Sequence, residues 1–463
     1  MELTREEMVA TLGTRDPANN GRFIIGVMST GIYCLPSCSA RTPKAENVRF
    51  FANGAEARAA GLRPCKRCRP DEFERGEDKE LEALEALVQN MRANPSAYAC
   101  VPDLGDALAV GATKLHELFR QHYHTTPGDL LSQARLEKAK ELLLASDEGI
   151  AQIAYEVGFE SLSVFNDNFK RRFGMTPSEY RALPTADSFA IQLPQGFNLP
   201  SFSRSFGRDP QSVGERLDGN QGQLTTPQGT LISFELGDKV KVTTNPAQGL
   251  DAYETLYRVL GLAQEPKSFE QQASDKGFQR LVQGREGSRI PQTTSLFEGL
   301  VWAIVGQQIN LPFAFALRRR LFENYGEPLT DGLFAPPSPE RLAQLEPEEL
   351  LHLQFSRRKA EYLIGVARLG RPWLEALETM SFTRAVQTLT NTHGLGIWST
   401  HYILMRSLSF ADCVPYGDTG LTAGLIALYG LDAKPDKKQI EQLMEPFTPY
   451  RSLATYHLWQ SLK

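Results

Sequence analysis

Long apolar runs are missing from this 463-residue chain, and none of its stretches could cross a bilayer as a helix, so no membrane span is expected. The opening MELTREEMVATLGTRD has neither a basic start with an apolar run nor a small-residue cleavage site, and a cytoplasmic location follows as the expectation. Positive charge is in no overall excess: 50 Lys and Arg stand against 55 Asp and Glu, a formal net charge of −5, which excludes a chain coated in cations. No repeat of solenoid period, low-complexity tract, glycine-rich nucleotide loop or hydrolase triad is visible. Cysteine is scarce, with six in all, yet four of the six fall in two close pairs, in GIYCLPSCSARTPK (31–44) and RPCKRC (63–68).

The length exceeds one ordinary core, so two to four domains are expected. The acidic DEFERGED (71–78) and the polar LPTADS (183–188) read as joints. From about 80 to 183 the apolar spacing is helical, whereas TLISFELGDKVKVTT alternates apolar and polar residues around Gly-Asp, as a hairpin does. Beyond 250 helical periodicity returns.

Three residues separate Cys34 from Cys38, two separate Cys65 from Cys68, and 26 lie between the pairs. Each short spacing lets two sulfurs reach one tetrahedral ion, and in a reducing compartment paired cysteines are metal ligands rather than disulfides, so a four-thiolate zinc site is expected. Spacing alone leaves open whether that zinc is purely structural. Residues 41–70 carry eight Lys or Arg against two Glu, a local field in which a polyanion could dock.

GRFIIGVMSTGIYCLPSCSARTPKAENVRFF, followed by AEARAAGLRPCKRC, resembles the N-terminal domain of the Ada methylation-response family over roughly the first 75 residues. The resemblance implies that Cys34 is both zinc ligand and irreversible acceptor of a methyl group from a DNA methylphosphotriester. A methylated phosphate is uncharged, and a metal-held thiolate is a competent nucleophile toward it. Alkylating one sulfur would remove a negative charge beside Arg41, Lys44 and Arg67, and so strengthen DNA binding. The Pro-Cys-His-Arg setting of the other methyltransferase module known in that family is absent, and repair of O6-methylguanine is not expected.

LGDALAVGATKLHELFRQHY (104–123) and IAQIAYEVGFESLSVFNDNFKRRFGMTPSEY (150–180) share one plan of short helix, turn and amphipathic second helix. Together they resemble the double helix-turn-helix of AraC-type regulators over about 83–182. The resemblance implies base-facing residues Thr113, His116 and Glu117 in the first unit and Ser163, Val164 and Asp167 in the second, with Lys170, Arg171 and Arg172 on phosphates. For Glu117 and Asp167 a solvated helix face is an equal reading, since a carboxylate also repels the backbone.

SFTRAVQTLTNTHGLGIWSTHYILMRSL (381–408) places Gly394 and Gly396 in a turn between helices, where backbone N–H groups can approach a phosphate. With FADCVPYGDTGL, SLFEGLVWAIVGQQINLPFAFALRRRL and YRSLATYHLWQSL, it resembles the AlkA-type helix-hairpin-helix DNA glycosylases over about 189–463. The resemblance implies that Asp418 is the catalytic carboxylate, that Trp398, Tyr402, Trp459 and Phe206 form the base pocket, and that Gln308 enters the duplex. Trp398 stands where strand-cleaving relatives carry lysine, so hydrolytic excision of bases such as 3-methyladenine without a Schiff base is expected. His393 replaces the hairpin's usual proline.

The expected fold class is therefore multidomain α+β. It comprises a zinc methyl-acceptor domain (1–75), an all-α double helix-turn-helix domain (80–183), a β-rich lobe (189–250) and a helical helix-hairpin-helix domain (251–463). Zinc is the expected cofactor and double-stranded DNA the expected partner; RNA polymerase contact and a monomeric state are further expectations. A regulator whose C-terminal half binds DNA without catalysis is the alternative, against which Asp418 and the hairpin glycines both argue.

Overall fold

A computed structural model describes residues 3–16, 19–74 and 78–462, and residues 75–77 of the acidic joint lie outside them. The chain forms two compact units, 1–86 and 87–463.

In the first unit four short strands form one sheet in the order Val48–Phe51, Ile24–Val27, Ile32–Cys34, Arg63–Pro64. The last pair is parallel, with Ile32 opposite Arg63 and Tyr33 opposite Pro64. One further step along both strands brings Cys34 and Cys65 side by side, and the Cys65 N–H donates to the Tyr33 carbonyl at 2.9 Å. Strand alternation puts Ile24, Tyr33, Leu35 and Phe51 into one apolar cluster and Phe23, Ile25 and Val48 into another.

The second unit opens with helices. Val101–Leu108 and Ala112–Tyr123 make the first helix-turn-helix, Pro127–Ala145 connects, and Ile150–Glu156 and Leu162–Phe173 make the second. A five-stranded antiparallel sheet follows, ordered Ser188–Gln192, Lys239–Asn245, Leu231–Glu235, Gln221–Thr225, Glu215–Asp218. It contains the hairpin read from the sequence, with Glu235 opposite Lys241.

The polar stretch 183–188 does not divide one core from another. Phe165, Phe169, Phe173 and Tyr180 of the second helix-turn-helix lie in one buried cluster with Ile191, Phe234 and Val242 of the sheet and Tyr253 and Tyr257 of the next helix, Gly249–Val259. The Tyr180 and Tyr253 rings meet edge to face at 5.5 Å. Lys140 pairs with both Glu137 (3.1 Å) and Glu254 (2.9 Å) and lies over the Phe173 and Tyr180 rings. A polar composition marks a surface loop, and here the elements on either side of that loop still close on each other.

The remaining helices, from Leu296–Val305 to Arg451–Ser461, surround a second and larger core. No described helix is long and apolar enough to cross a membrane.

Candidate functional site

The sulfur-ligand atoms of Cys34, Cys38, Cys65 and Cys68 all lie within 4.8 Å of one another, and Cys38 and Cys65 are 4.0 Å apart. Four sulfurs bound tetrahedrally to zinc at about 2.3 Å stand roughly 3.8 Å from each other, so the set fits that ion. The Cys34 thiol is pushed well up by its hydrogen bond to Cys68 and by burial, and burial pushes Cys38 up to about 11. Four crowded thiols cannot all ionise unaided, and a divalent cation among them removes the penalty. The strand ends deliver Cys34 and Cys65, both 8 % exposed, while Cys38 and Cys68 are half-buried. Arg41, Lys44 and Arg67 are exposed; Lys44 lies 3.7 Å from Glu46 and Arg67 donates to the Ser39 carbonyl at 3.3 Å.

On the first recognition helix Thr113, His116 and Glu117 are exposed, and on the second Ser163, Val164, Asp167, Lys170 and Arg171 are exposed, Val164 to 52 %. Arg172 is turned elsewhere: its guanidinium donates to the Ala263 carbonyl at 3.1 Å, tying the recognition helix to the shared core instead of facing outward. The cause is helical geometry, since Arg172 lies three and seven positions from the buried Phe169 and Phe165 and so shares their inward face.

Asp418 is the N-cap of helix Thr419–Tyr429 and accepts from the Leu421 N–H at 2.8 Å. Its other partners are two indoles: Trp398 Nε1 donates to Oδ2 at 3.1 Å and Trp459 Nε1 donates to Oδ1 at 2.8 Å. A Cβ on Gly420 would stand 2.8 Å from the Trp459 ring, so glycine there lets the indole reach the carboxylate. Tyr402 stacks on Trp398 at 5.2 Å and tilts against Trp459 at 6.1 Å. Residues distant in sequence thus form one aromatic wall around a half-buried carboxylate.

Phe206 lies with Tyr402, Trp302 and Phe315 along a cavity of about 120 Å³ whose lining does not include Asp418, Trp398 or Trp459. Sequence reasoning does not single out Trp302; its Nε1 donates to the Tyr402 hydroxyl at 2.8 Å and its ring stacks on Phe315. An apolar periodicity gives no sign of such a tryptophan's polar partner.

Gln308 is exposed at its turn and left-handed (φ 56°), a conformation non-glycine residues adopt infrequently. Its neighbour Gln307, also missed by sequence, donates to the Gly394 carbonyl at 2.8 Å and the Ser399 hydroxyl at 3.0 Å. That bond fixes the Gln308 turn to the hairpin carrying Gly394 and Gly396. Gly394 has φ 92°, and a Cβ there would stand 2.3 Å from the Tyr362 ring. The same tyrosine meets His393 edge-on at 4.9 Å, packing that supports the hairpin where proline is missing.

Three family descriptions match in order: the metal binding domain of Ada over 7–71, a helix-turn-helix domain over 104–183, and the HhH-GPD superfamily base excision DNA repair protein over 301–449. A Mycobacterium tuberculosis protein named "Probable bifunctional transcriptional activator/DNA repair enzyme AlkA" is 28 % identical over 99 % of this chain and 96 % of its own. The Bacillus subtilis bifunctional transcriptional activator/DNA repair enzyme AdaA is 32 % identical, over 39 % of this chain and 85 % of its own. A DNA-3-methyladenine glycosylase of the same bacterium is 36 % identical, over 38 % of this chain and 60 % of its own.

Proposed function

We propose, for a chain that belongs to the Ada-type family of bifunctional transcriptional activators and DNA repair enzymes, that it senses backbone methylation and excises alkylated bases from DNA. The observation that carries the excision reading is the carboxylate of Asp418 held by two indole N–H groups beside the Tyr402 ring. A base alkylated on a ring nitrogen is cationic and leaves readily. Aromatic faces favour that cation, and the sugar's developing positive charge is stabilised by the fixed carboxylate, which also orients water. Strand cleavage through a Schiff base is not proposed, because Trp398 occupies the lysine position. The substrate class is that of the 3-methyladenine glycosylase relative.

At the other end, zinc among Cys34, Cys38, Cys65 and Cys68 supplies the charge that keeps their sulfurs as thiolates. The Cys34 sulfur bonds to the ester methyl carbon as the methyl C–O bond breaks, and the phosphodiester leaves as an anion. One negative charge is lost from the protein surface near Arg41, Lys44 and Arg67, which favours promoter DNA. The two recognition helices read that DNA through Thr113, His116, Ser163 and Val164, with Lys170 and Arg171 on phosphate. RNA polymerase is the proposed downstream partner of a monomer working in the cytoplasm.

The test is release of alkylpurine from methylated duplex DNA by wild type and by Asp418→Asn. Asparagine also caps helices well, so the variant keeps the fold, and a loss of at least about a hundredfold in rate is expected. Wild type that binds alkylated DNA but frees no base would reduce the C-terminal half to a binding module.

A further inference from the structure

The loop that carries Asp418 is anchored by three consecutive backbone N–H groups, each given to a side chain. Val414 N–H donates to His401 Nδ1 at 3.0 Å, from helix Ile397–Ser407, and Cys413 N–H donates to the Ser452 hydroxyl at 2.9 Å, from helix Arg451–Ser461. The third acceptor comes from the regulator half: Asp412 N–H donates to Nδ1 of His124 at 3.1 Å. His124 is the left-handed C-cap (φ 55°) of the first recognition helix, Ala112–Tyr123. Its ring lies 4.1 Å from Phe382 and 5.5 Å from Phe410.

The surrounding contacts make the placement specific. His122 bonds the Thr383 hydroxyl at 2.8 Å, and Arg92 donates to the Thr379 carbonyl at 2.7 Å. The Asp412 side chain is itself held by Arg451 at 2.7 and 2.6 Å, so this residue is gripped by its carboxylate from one element and its amide from another. From Asp412 the chain reaches the reactive residue in six positions, through Asp418 N–H to the Pro415 carbonyl at 3.0 Å.

We propose that His124 is a positioning residue of the glycosylase, a piece of the excision machinery supplied by the DNA-reading half, and this rests on the excision reading of Asp418. By fixing the Asp412 amide it fixes the root of the loop, and so the place of the carboxylate relative to the sugar. A displacement of well under about 1 Å matters at such a group. The recognition helix ends on this contact, while Thr113, His116 and Glu117 toward its other end face outward.

The test uses the full chain, methylated duplex DNA and single-turnover release of alkylpurine. His124→Phe keeps a ring against Phe382 and removes the acceptor. His124→Asn puts an amide oxygen near the former Nδ1 and suits the left-handed backbone. Phe382→Leu loosens the packing and leaves the acceptor. His124→Phe should slow release about tenfold at an unchanged half-saturating DNA concentration, His124→Asn should recover most of that rate, and Phe382→Leu should lower the melting temperature more than the rate. Wild-type release in the same assay checks the glycosylase reading itself. Given that release, the positioning role is overturned by wild-type speed in His124→Phe, or by equal impairment of all three variants in step with their melting temperatures.

Discussion

A carboxylate that both caps a helix and receives two indole N–H bonds has almost no rotational freedom, and that is what catalysis by electrostatics requires. Trp459→Phe keeps an aromatic face for the base but removes the bond to Oδ1. Its excision rate should fall about tenfold in single-turnover kinetics, with affinity for undamaged DNA unchanged. An unchanged rate would show that stacking alone is what Trp459 contributes. Asp418, Trp398, Tyr402 and Trp459 were expected only through the family resemblance; the four cysteines were legible, because short spacings bring their sulfurs to one ion. The partners Trp459 to Asp418, Gln307 to Gly394 and His124 to Asp412 were not, since they are joined by folding across 41, 87 and 288 positions.

Among the elements, the second recognition helix shows how sequence periodicity misleads at its edge. Its apolar face, Phe165, Phe169 and Phe173, is buried, and the core it enters belongs also to the sheet. Arg172 follows that face inward to Ala263, where a tally of basic residues would put it on DNA. Phe169→Ala should cost about 3–5 kcal/mol, read as a fall in the melting transition that carries the glycosylase activity too. If regulator and repair halves melted separately in that variant, the common core would not be a thermodynamic unit. Arg318, between Glu215 of the sheet and Glu298 of helix Leu296–Val305, is a second such tie. Burial pushes the Glu298 carboxyl up, yet Arg318 and Thr294 outweigh it and hold it below the usual range.

The whole molecule has two compact units, and a chelator should separate them by behaviour. Removing zinc should abolish the melting transition of residues 1–86 and leave alkylpurine release intact, followed by calorimetry and the release assay on one sample. Acid acts on the other unit. Burial pushes His124, His401 and His457 down to about 4, from an ordinary 6.5. Between those values the unfolded chain binds more protons than the folded one. Stability that is full above an ordinary histidine's 6.5 should drain as pH falls toward 4, visible as a steep drop in melting temperature over that window. The order of the three modules was readable from their signatures, whereas the extent of their fusion was not, because loop composition reports solvent exposure and says nothing of what the flanking elements bury.

The common core has a consequence for anyone who would graft this repair half onto a different regulator. A cut at residues 183–188 looks natural in the primary structure, but it would strip Phe169, Phe173 and Tyr180 from Tyr253 and Tyr257 and leave a greasy wound on each fragment. A transplant would have to carry the second compact unit, 87–463, whole, together with the helix Lys79–Ala93 within which it starts. In this chain the reader and the excision tool share one interior and move as a single piece.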